Sequence, residues 1–203
     1  NTNVQGTVYM KFKNMNEKSK GIWPYINGGV YGNGSEGSRD IANGKMNTNA
    51  VVNNVEINAT NSNLYLLGAG GSGSTKVKNG KVTLNHCTLS SLYLSGINGE
   101  VENSTITAEG CTITDFAATN RDTFQNTFKN VTIDSEKPLK MAISDFQYDE
   151  NLYQKSFSVP EDSTLTLNNV QLSIADNNTL ENIGTIKMDN TSSITIPPGA
   201  TLK

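Results

Sequence analysis

The sequence is poor in the residues on which most catalytic and metal sites depend. Its 203 residues include one histidine, two cysteines, one tryptophan and two arginines, and only 17% of the residues are charged. The net charge is −3, and no stripe of lysine or arginine gives the chain the electrostatic footprint of a nucleic-acid-binding protein. No apolar run is long enough to span a membrane. The sequence therefore predicts no nucleic-acid partner and no membrane span.

Hydrophobic residues are also scarce, at 35% of the chain. This share is lean for a compact globule but ordinary for a solenoid, in which each coil buries only a narrow column of side chains. The remainder is rich in Asn, Thr, Ser and Gly. Asn and Gly tolerate the left-handed backbone of tight bends, and Thr suits strands. The composition therefore favours an all-β chain of short strands joined by bends.

A four-residue phrase returns six times: a polar or small residue, then Val, Cys or Ser, then a polar residue, then Ile or Leu. Its copies are Asn54-Val55-Glu56-Ile57, His86-Cys87-Thr88-Leu89, Asn103-Ser104-Thr105-Ile106, Gly110-Cys111-Thr112-Ile113, Asn130-Val131-Thr132-Ile133 and Asn169-Val170-Gln171-Leu172. Each copy is a strand too short to bury its apolar side alone, so the copies must stack on one another. The phrase predicts a single-domain β-solenoid, that is, a parallel β-helix.

Four segments divide this domain. Residues 1–20 contain one alternating strand, which we interpret as an N-terminal cap over an open sheet edge. Residues 21–133 form irregular coils, residues 134–157 are an excursion from the stack, and residues 158–203 form the C-terminal coils.

Two features concern the length of the coils and of the polypeptide. Similar phrases begin at Val159 and Ile196, 37 residues apart (196 − 159), which predicts two coils of about 18 to 19 residues each. The chain starts at Asn1 without a signal peptide and stops as a new strand begins. We therefore expect a processed, exported protein with further domains of the same polypeptide.

The phrases resemble those of right-handed parallel β-helices of the pectate-lyase type. Val30-Tyr31-Gly32-Asn33-Gly34, Leu64-Tyr65-Leu66-Leu67-Gly68 and the ending Ile196-Pro197-Pro198-Gly199-Ala200-Thr201-Leu202 also look like repetitive, adhesin-like surface proteins of gut and other anaerobic bacteria. The resemblance covers most of residues 25–203. It implies a secreted or cell-surface β-helix that displays a binding face. Our first hypothesis is a non-catalytic exported module, adhesin-like or structural, whose partner is a glycan or a host or cell-surface protein.

An outward ladder of aromatic residues is the predicted binding face. Tyr31, Tyr65 and Tyr93 each follow an aliphatic residue, so they face outward if the aliphatic residues fill the interior. Trp23 and Tyr25 lie near the lower end of this ladder. Aromatic faces stack on other apolar faces, including those of sugars, which points to carbohydrate. The alternative is that these rings stack on one another and shield the sheet.

The second hypothesis is a polysaccharide lyase or glycoside hydrolase that works in a groove along the β-helix. For a lyase, the resemblance implies an arginine or lysine base and carboxylates that hold Ca²⁺ against the substrate. The best such cluster is Asp115, Arg121 and Asp122, with Arg121 as the base; otherwise it is a solvated ion pair at a bend. Glu100 and Glu102 share a face by alternation, and we interpret them as surface residues. No other cofactor or metal is expected, and we favour the non-enzymatic hypothesis.

The histidine and the cysteines fall inside copies of the phrase. His86 occupies the position that Asn fills in four other copies, which predicts a turn-forming role rather than a metal site. Cys87 and Cys111 share the next position, which should point inward, and we expect buried thiols. Adjacent coils would permit a disulfide between them. We favour free thiols, on the expectation that Ser104 lies between the two.

Overall fold

A computed structural model describes residues 3–14, 26–27, 51–68, 76–93, 100–116, 124–143, 146–148, 151–153 and 155–203. These residues contain strands and no helix, so the all-β prediction is confirmed. The strands are β1 (Asn3–Lys13), β2 (Ile26–Asn27), β3 (Val51–Thr60), β4 (Asn63–Gly68), β5 (Lys76–Lys78), β6 (Gly80–Asn85), β7 (Thr88–Tyr93), β8 (Glu100–Glu109), β9 (Thr112–Phe116), β10 (Phe124–Ile143), β11 (Phe146–Tyr148), β12 (Asn151–Tyr153), β13 (Lys155–Val159), β14 (Thr164–Ile174), β15 (Thr179–Asn182), β16 (Thr185–Met188), β17 (Ser193–Thr195) and β18 (Thr201–Leu202).

The strands other than β11 and β12 form one 16-stranded sheet that winds into a parallel β-solenoid. The pairings divide its surface into three faces. Face 1 stacks β1, β3, β6, β8, the middle of β10, the first half of β14, and β16. Face 2 stacks β2, β4, β7, β9, the ends of β10 and β14, and β17. Face 3 stacks the starts of β3, β8 and β10 with β5, β13, β15 and β18.

Inward side chains form columns along the stack. The column of face 1 runs in register through Met10, Ile57, Val82, Ile106, Ile133, Leu167 and Met188. Its five middle members are at most 1% exposed, whereas Met10 is half-buried and Met188, in the last described coil of the face, is 48% exposed. Full burial of one such side chain contributes about 1.5–3 kcal/mol, so a column only one residue wide stabilises each coil through its neighbours.

The six copies of the phrase stack as predicted, but on two faces rather than one. Thr105 lies beside Thr132 on face 1, whereas Thr88 lies beside Thr112 on face 2. The copies that begin at Asn54, Asn103 and Asn130 belong to face 1, and those that begin at His86, Gly110 and Asn169 belong to face 2. A short alternating strand buries one side whichever face it lies on, so the phrase does not distinguish the faces.

The predicted C-terminal coils of 18 to 19 residues are wrong. Leu165 lies beside Ile186, 21 residues later (186 − 165), and Leu180 lies beside Leu202, 22 residues later (202 − 180). Leu165 is on face 1 and Leu202 is on face 3. The two similar phrases 37 residues apart therefore occupy different faces, and their separation is not a whole number of coils.

Left-handed residues make the bends between faces. Asn103 and Asn130, with φ of 50° and 54°, stand between face 3 and face 1. His86 and Gly110, with φ of 51° and 59°, stand between face 1 and face 2. Among residues with a side chain, Asn, Asp and His are the ones enriched in this conformation. The predicted turn-forming role of His86 is therefore confirmed.

The excursion predicted for residues 134–157 is narrower than the sequence suggested. Residues 134–143 belong to β10 and pair with β14, with a register shift between Asp134 and Leu139 that absorbs the polar loop. Beyond them, β11 and β12 form a separate antiparallel pair. The loop breaks the alternation in sequence, but a bulge of this kind lets the strand resume its pairing afterwards.

The alternating strand predicted within residues 1–20 is β1, which pairs with β3 in parallel. Tyr9 is 56% exposed, whereas Met10 and Phe12 are half-buried against the core. The half-buried strand is therefore confirmed. Its role as a cap and the right-handed winding of the coils stay predictions.

Candidate functional site

A shallow hollow of about 440 Å³ lies on face 2. Its outward lining includes Thr112, Thr114, Lys140, Gln171, Ser173 and Thr195, and we call these six residues the polar strip. They offer hydroxyl, amide and ammonium groups on four neighbouring strands, β9, β10, β14 and β17. Such groups can donate and accept hydrogen bonds along an extended ligand.

Alternation along the strands explains why polar groups line this hollow. Thr112 and Thr114 are exposed on either side of buried Ile113, and half-buried Gln171 and Ser173 flank buried Leu172. Successive side chains of a strand point to opposite faces, so each apolar residue in the core places polar neighbours outside.

The strand pairing is sparse where the hollow lies. β9 and β10 share a single residue pair, Asp115 with Ala142, whereas β14 and β17 share three, among them Leu172 with Ile194. Of the described junctions of face 2, the one between β9 and β10 has the fewest paired residues, and the polar strip lies across it.

Charged residues form a ladder on face 3 that we call the charge ladder: Lys76, Lys78, Glu100, Glu102 and Lys129. Lys78 Nζ is 2.8 Å from Glu102 Oε2, and Lys129 Nζ is 2.9 Å from Glu100 Oε2. Lys76 Nζ lies 3.9 Å from the same Glu100 oxygen. The two carboxylates are thus each held by a lysine of a neighbouring coil.

The charge ladder disfavours acid catalysis by the Glu102 carboxyl. The hydrogen bond from the Lys78 ammonium holds the pKa of the Glu102 carboxyl below its usual range, and the carboxylate raises the pKa of Lys78 in turn. A general acid in glycoside hydrolysis needs the opposite shift, a raised carboxyl pKa. The interpretation of Glu100 and Glu102 as surface residues therefore agrees with their contacts.

Replacing Glu102 with glutamine should cost stability only where the carboxylate is charged. Its pKa is lower in the folded chain, so its contribution is present at neutral pH and is lost as the pH falls through that lowered pKa. It is also lost at high pH, as the pH rises through the raised pKa of Lys78. We expect a thermal midpoint about 1–2 °C below that of the parent at pH 7.

Thermal unfolding of parent and variant from about pH 3 to pH 8 measures this difference. Glu161→Gln, in the exposed turn after β13, is the matched control. The ion pair between Lys78 and Glu102 would be contradicted if the thermal midpoints of parent and Glu102→Gln differed equally at pH 3 and pH 7. It would also be contradicted if about 1 M salt left that difference unchanged.

The two cysteines meet at the bend between face 1 and face 2. Asn85 pairs with Glu109 before them and Thr88 with Thr112 after them, so Cys87 and Cys111 are in register on neighbouring coils. They are unbridged in this structure, and Cys87 is buried while Cys111 is half-buried. The expectation that a serine separates them is wrong.

That serine lies elsewhere. Ser104 is in the coil that also contains Cys111, but on face 1, where its Oγ accepts a hydrogen bond from the Gly80 N–H at 2.9 Å. A Cβ at Gly80 would lie 3.0 Å from this oxygen, so the small residue admits the contact. Ser104, Cys87 and Cys111 hold the same position in their copies of the phrase. The copy with Ser104 lies on face 1 and the copies with the cysteines lie on face 2, so a shared position in the phrase does not make these residues neighbours.

Most of the predicted site residues fall outside the described part of the chain. Trp23, Tyr25, Tyr31, Arg121 and Asp122 all belong to this group.

Three other predicted site residues have described backbones only. Tyr65 is in β4, Tyr93 in β7 and Asp115 in β9, and their side chains lie outside the described part. Gly68, three residues after Tyr65, lies beside Tyr93. Asp115 lies beside Ser91 and Ala142, on a strand that lines the polar strip. The tyrosine ladder and the acidic cluster with Arg121 stay predictions.

The polar strip is not marked by any motif in the sequence. Lys140 follows the irregular loop of β10, and Gln171 is the polar residue of a repeated phrase, so neither stands out in the sequence. The alternation around Ile113 and Leu172 does predict that their polar neighbours point outward. That signal does not reveal which outward residues become neighbours.

Neither a protein-family model, nor a curated protein, nor a solved structure matches this chain. Its class is therefore established by the fold alone, as a parallel β-solenoid. Within the described ranges, no three or more His, Cys, Asp or Glu residues are grouped so that they could hold a metal ion. None of the described segments forms a helix long and apolar enough to cross a membrane.

Proposed function

We propose that this chain is a non-catalytic, exported surface module that binds carbohydrate along face 2. In this proposal it is a right-handed β-helix of the pectate-lyase-like, adhesin-like kind, and it is secreted or held at the cell surface with further domains of the same polypeptide. The polar strip is the observation that carries the proposal. The resemblance of the repeated phrases to bacterial surface proteins supports the proposed location.

The chemistry of the polar strip suits an extended glycan. Sugars present hydroxyl groups that both donate and accept hydrogen bonds, and Thr, Ser and Gln side chains do the same. These residues are on strands, which hold a site more rigidly than loops do. Lys140 is exposed at the centre of the strip and would attract the carboxylate of an acidic sugar. We therefore expect acidic polysaccharides to bind more tightly than neutral ones.

A polysaccharide lyase or hydrolase is the second candidate function, and the position of Asp115 supports it. Asp115 is on β9 beside Ala142 of β10, so its backbone borders the hollow. With Arg121 and Asp122 it would form the acidic cluster of the enzymatic hypothesis, with Ca²⁺ as the cofactor. The two candidates differ in one observable: an enzyme releases product from the glycan that it binds.

The test is a panel of acidic and neutral polysaccharides, measured with and without Ca²⁺ for both retention and product release. Lys140→Ala and Gln171→Ala remove one polar group each from the polar strip, and each should weaken retention about tenfold. Lys81→Ala, at an exposed lysine on face 1, is the matched control and should bind as the parent does. Tyr65→Ala and Tyr93→Ala test the tyrosine ladder in the same assay.

Each outcome has a different consequence. The proposal is supported if the parent retains a glycan and releases no product from it. The polar-strip variants should then lose that retention, and Lys81→Ala should keep it. Retention lost only in the tyrosine variants moves the site to the tyrosine ladder. Product release replaces the proposal with the enzymatic one and directs mutation to Asp115. No retention of any glycan overturns carbohydrate binding and leaves a structural or protein-binding module.

A further inference from the structure

Cys87 and Cys111 are positioned as a pair across two coils. The Thr112 N–H donates to the Cys87 carbonyl at 2.9 Å, and the Cys87 N–H lies 3.3 Å from Cys111 Sγ. Neighbouring strands of a sheet are about 4.8 Å apart, and a disulfide requires Cα atoms about 4.4–6.8 Å apart. In-register cysteines on adjacent coils are therefore expected to have Cα atoms within the range that a disulfide requires.

The bend holds both sulfurs in place. His86 and Gly110, the left-handed residues of the bend, immediately precede Cys87 and Cys111. The His86 ring covers Gly110, since a Cβ at that glycine would lie 3.2 Å from the ring carbon Cδ2. Asn85 Oδ1 is 2.6 Å from His86 Nδ1, which orients the ring. Two successive coils therefore present their thiols from equivalent, restrained positions.

The environment of the sulfurs favours a thiolate. Each S–H donates to a backbone carbonyl, that of Cys87 to Asn85 at 3.4 Å and that of Cys111 to Glu109 at 3.2 Å. The adjacent Cys111 side chain lowers the pKa of Cys87 to about 6, and Cys87 raises the pKa of Cys111 in turn. The nearby His86 lowers the pKa of Cys87 further. Thiolates are the nucleophiles of disulfide exchange, so a lowered thiol pKa in the pair favours exchange.

We propose that Cys87 and Cys111 form a reversible disulfide that clamps two successive coils, made by exchange with an external small-molecule or protein disulfide. Cys111 is the half-buried member, so its thiolate attacks one sulfur of the external disulfide after its proton passes to Cys87. The external S–S bond breaks, one external thiolate leaves, and a mixed disulfide remains on Cys111. The Cys87 thiol then loses its proton to solvent, and its thiolate attacks Cys111 Sγ, which releases the second external thiolate. In total, two protein thiols become one disulfide and one external disulfide becomes two thiols.

The test uses the full chain with oxidised glutathione as the external disulfide. After denaturation, alkylation and mass measurement, the parent should have lost both alkylatable thiols and should give one peptide that links Cys87 to Cys111. The oxidised parent should unfold at a temperature roughly 5 °C or more above that of the reduced parent, because the link constrains the unfolded chain. Cys87→Ser should stop at a stable glutathione adduct on Cys111. Cys111→Ser should react much more slowly, since Cys87 is only 1% exposed.

Several results would overturn the clamp. One is a parent that keeps both thiols alkylatable, and another is a parent that carries glutathione on each cysteine separately. A third is dimers that disappear on reduction, with no internal link. If a serine variant fails to fold, three measurements on the parent are sufficient to test the clamp. They are the number of alkylatable thiols, the presence of the linked peptide, and the difference in thermal midpoint between the reduced and the oxidised chain. The clamp does not depend on the glycan proposal, because none of these readouts involves a glycan.

Discussion

Replacing Ile113 with aspartate is expected to abolish the folded state at neutral pH. Ile113 is 0% exposed and is packed on face 2 beside Leu89. A buried carboxylate without a partner costs roughly 5 kcal/mol or more, which is comparable to the whole stability of a typical domain, about 5–15 kcal/mol. Circular dichroism and thermal unfolding should show the loss of the strand signal and of the cooperative transition.

Thr112→Asp is the matched control, because Thr112 is the exposed neighbour on the same strand. It should fold with a thermal midpoint close to that of the parent, although it alters the polar strip. The damage in Ile113→Asp should also lessen near pH 3, where burial keeps the new carboxyl protonated and neutral. Equal destabilisation by the two substitutions would mean that β9 does not bury Ile113.

Replacing Phe128 with alanine should cause a large loss of stability, because its ring belongs to a buried cluster of three phenylalanines. The ring centroid of Phe128 lies 5.7 Å from that of Phe116 and 5.4 Å from that of Phe157, and those of Phe116 and Phe157 are 6.3 Å apart. All three rings are at most 2% exposed. Removing the Phe128 ring leaves a cavity against the other two rings, and we expect a loss of about 3–5 kcal/mol in the free energy of unfolding. Denaturant unfolding, analysed by the midpoint and slope, measures it.

Tyr9→Ala removes an aromatic side chain that is 56% exposed on β1 and should cost less than about 1 kcal/mol. Phe128→Leu should fall between the two, because leucine fills most of the cavity. If Phe128→Ala cost no more than Tyr9→Ala, the three rings would not form a continuous core across the coils.

The polar strip and the cysteine pair are neighbours, so a disulfide between the cysteines could change glycan retention. Thr112, in the polar strip, directly follows Cys111, so the proposed disulfide would tie down the start of β9. A Cys87→Ser/Cys111→Ser double variant should still retain glycans, since neither sulfur lines the hollow. If oxidation nevertheless changes retention, the clamp also affects the sparsely paired junction between β9 and β10.

The type of fold and the buried side of each strand could be predicted from the repeated phrases and their alternation. The alternation around Ile57, Ile106 and Ile133 requires strands with one buried side, and strands this short must stack. Asn at the bends, with His86 in the same role, follows from the left-handed backbone that each bend requires.

Which residues become neighbours between coils could not be predicted from the phrases. Contacts between coils depend on the number of residues in each coil, and bends and bulges change that number without changing the alternation. Copies of one phrase therefore lie on two faces, and Cys87 meets Cys111 rather than Ser104. Lys140 reaches the polar strip only because a bulge between Asp134 and Leu139 restores the pairing of β10 with β14. The register of the stack, a property of the whole chain, assembled both the polar strip and the cysteine pair.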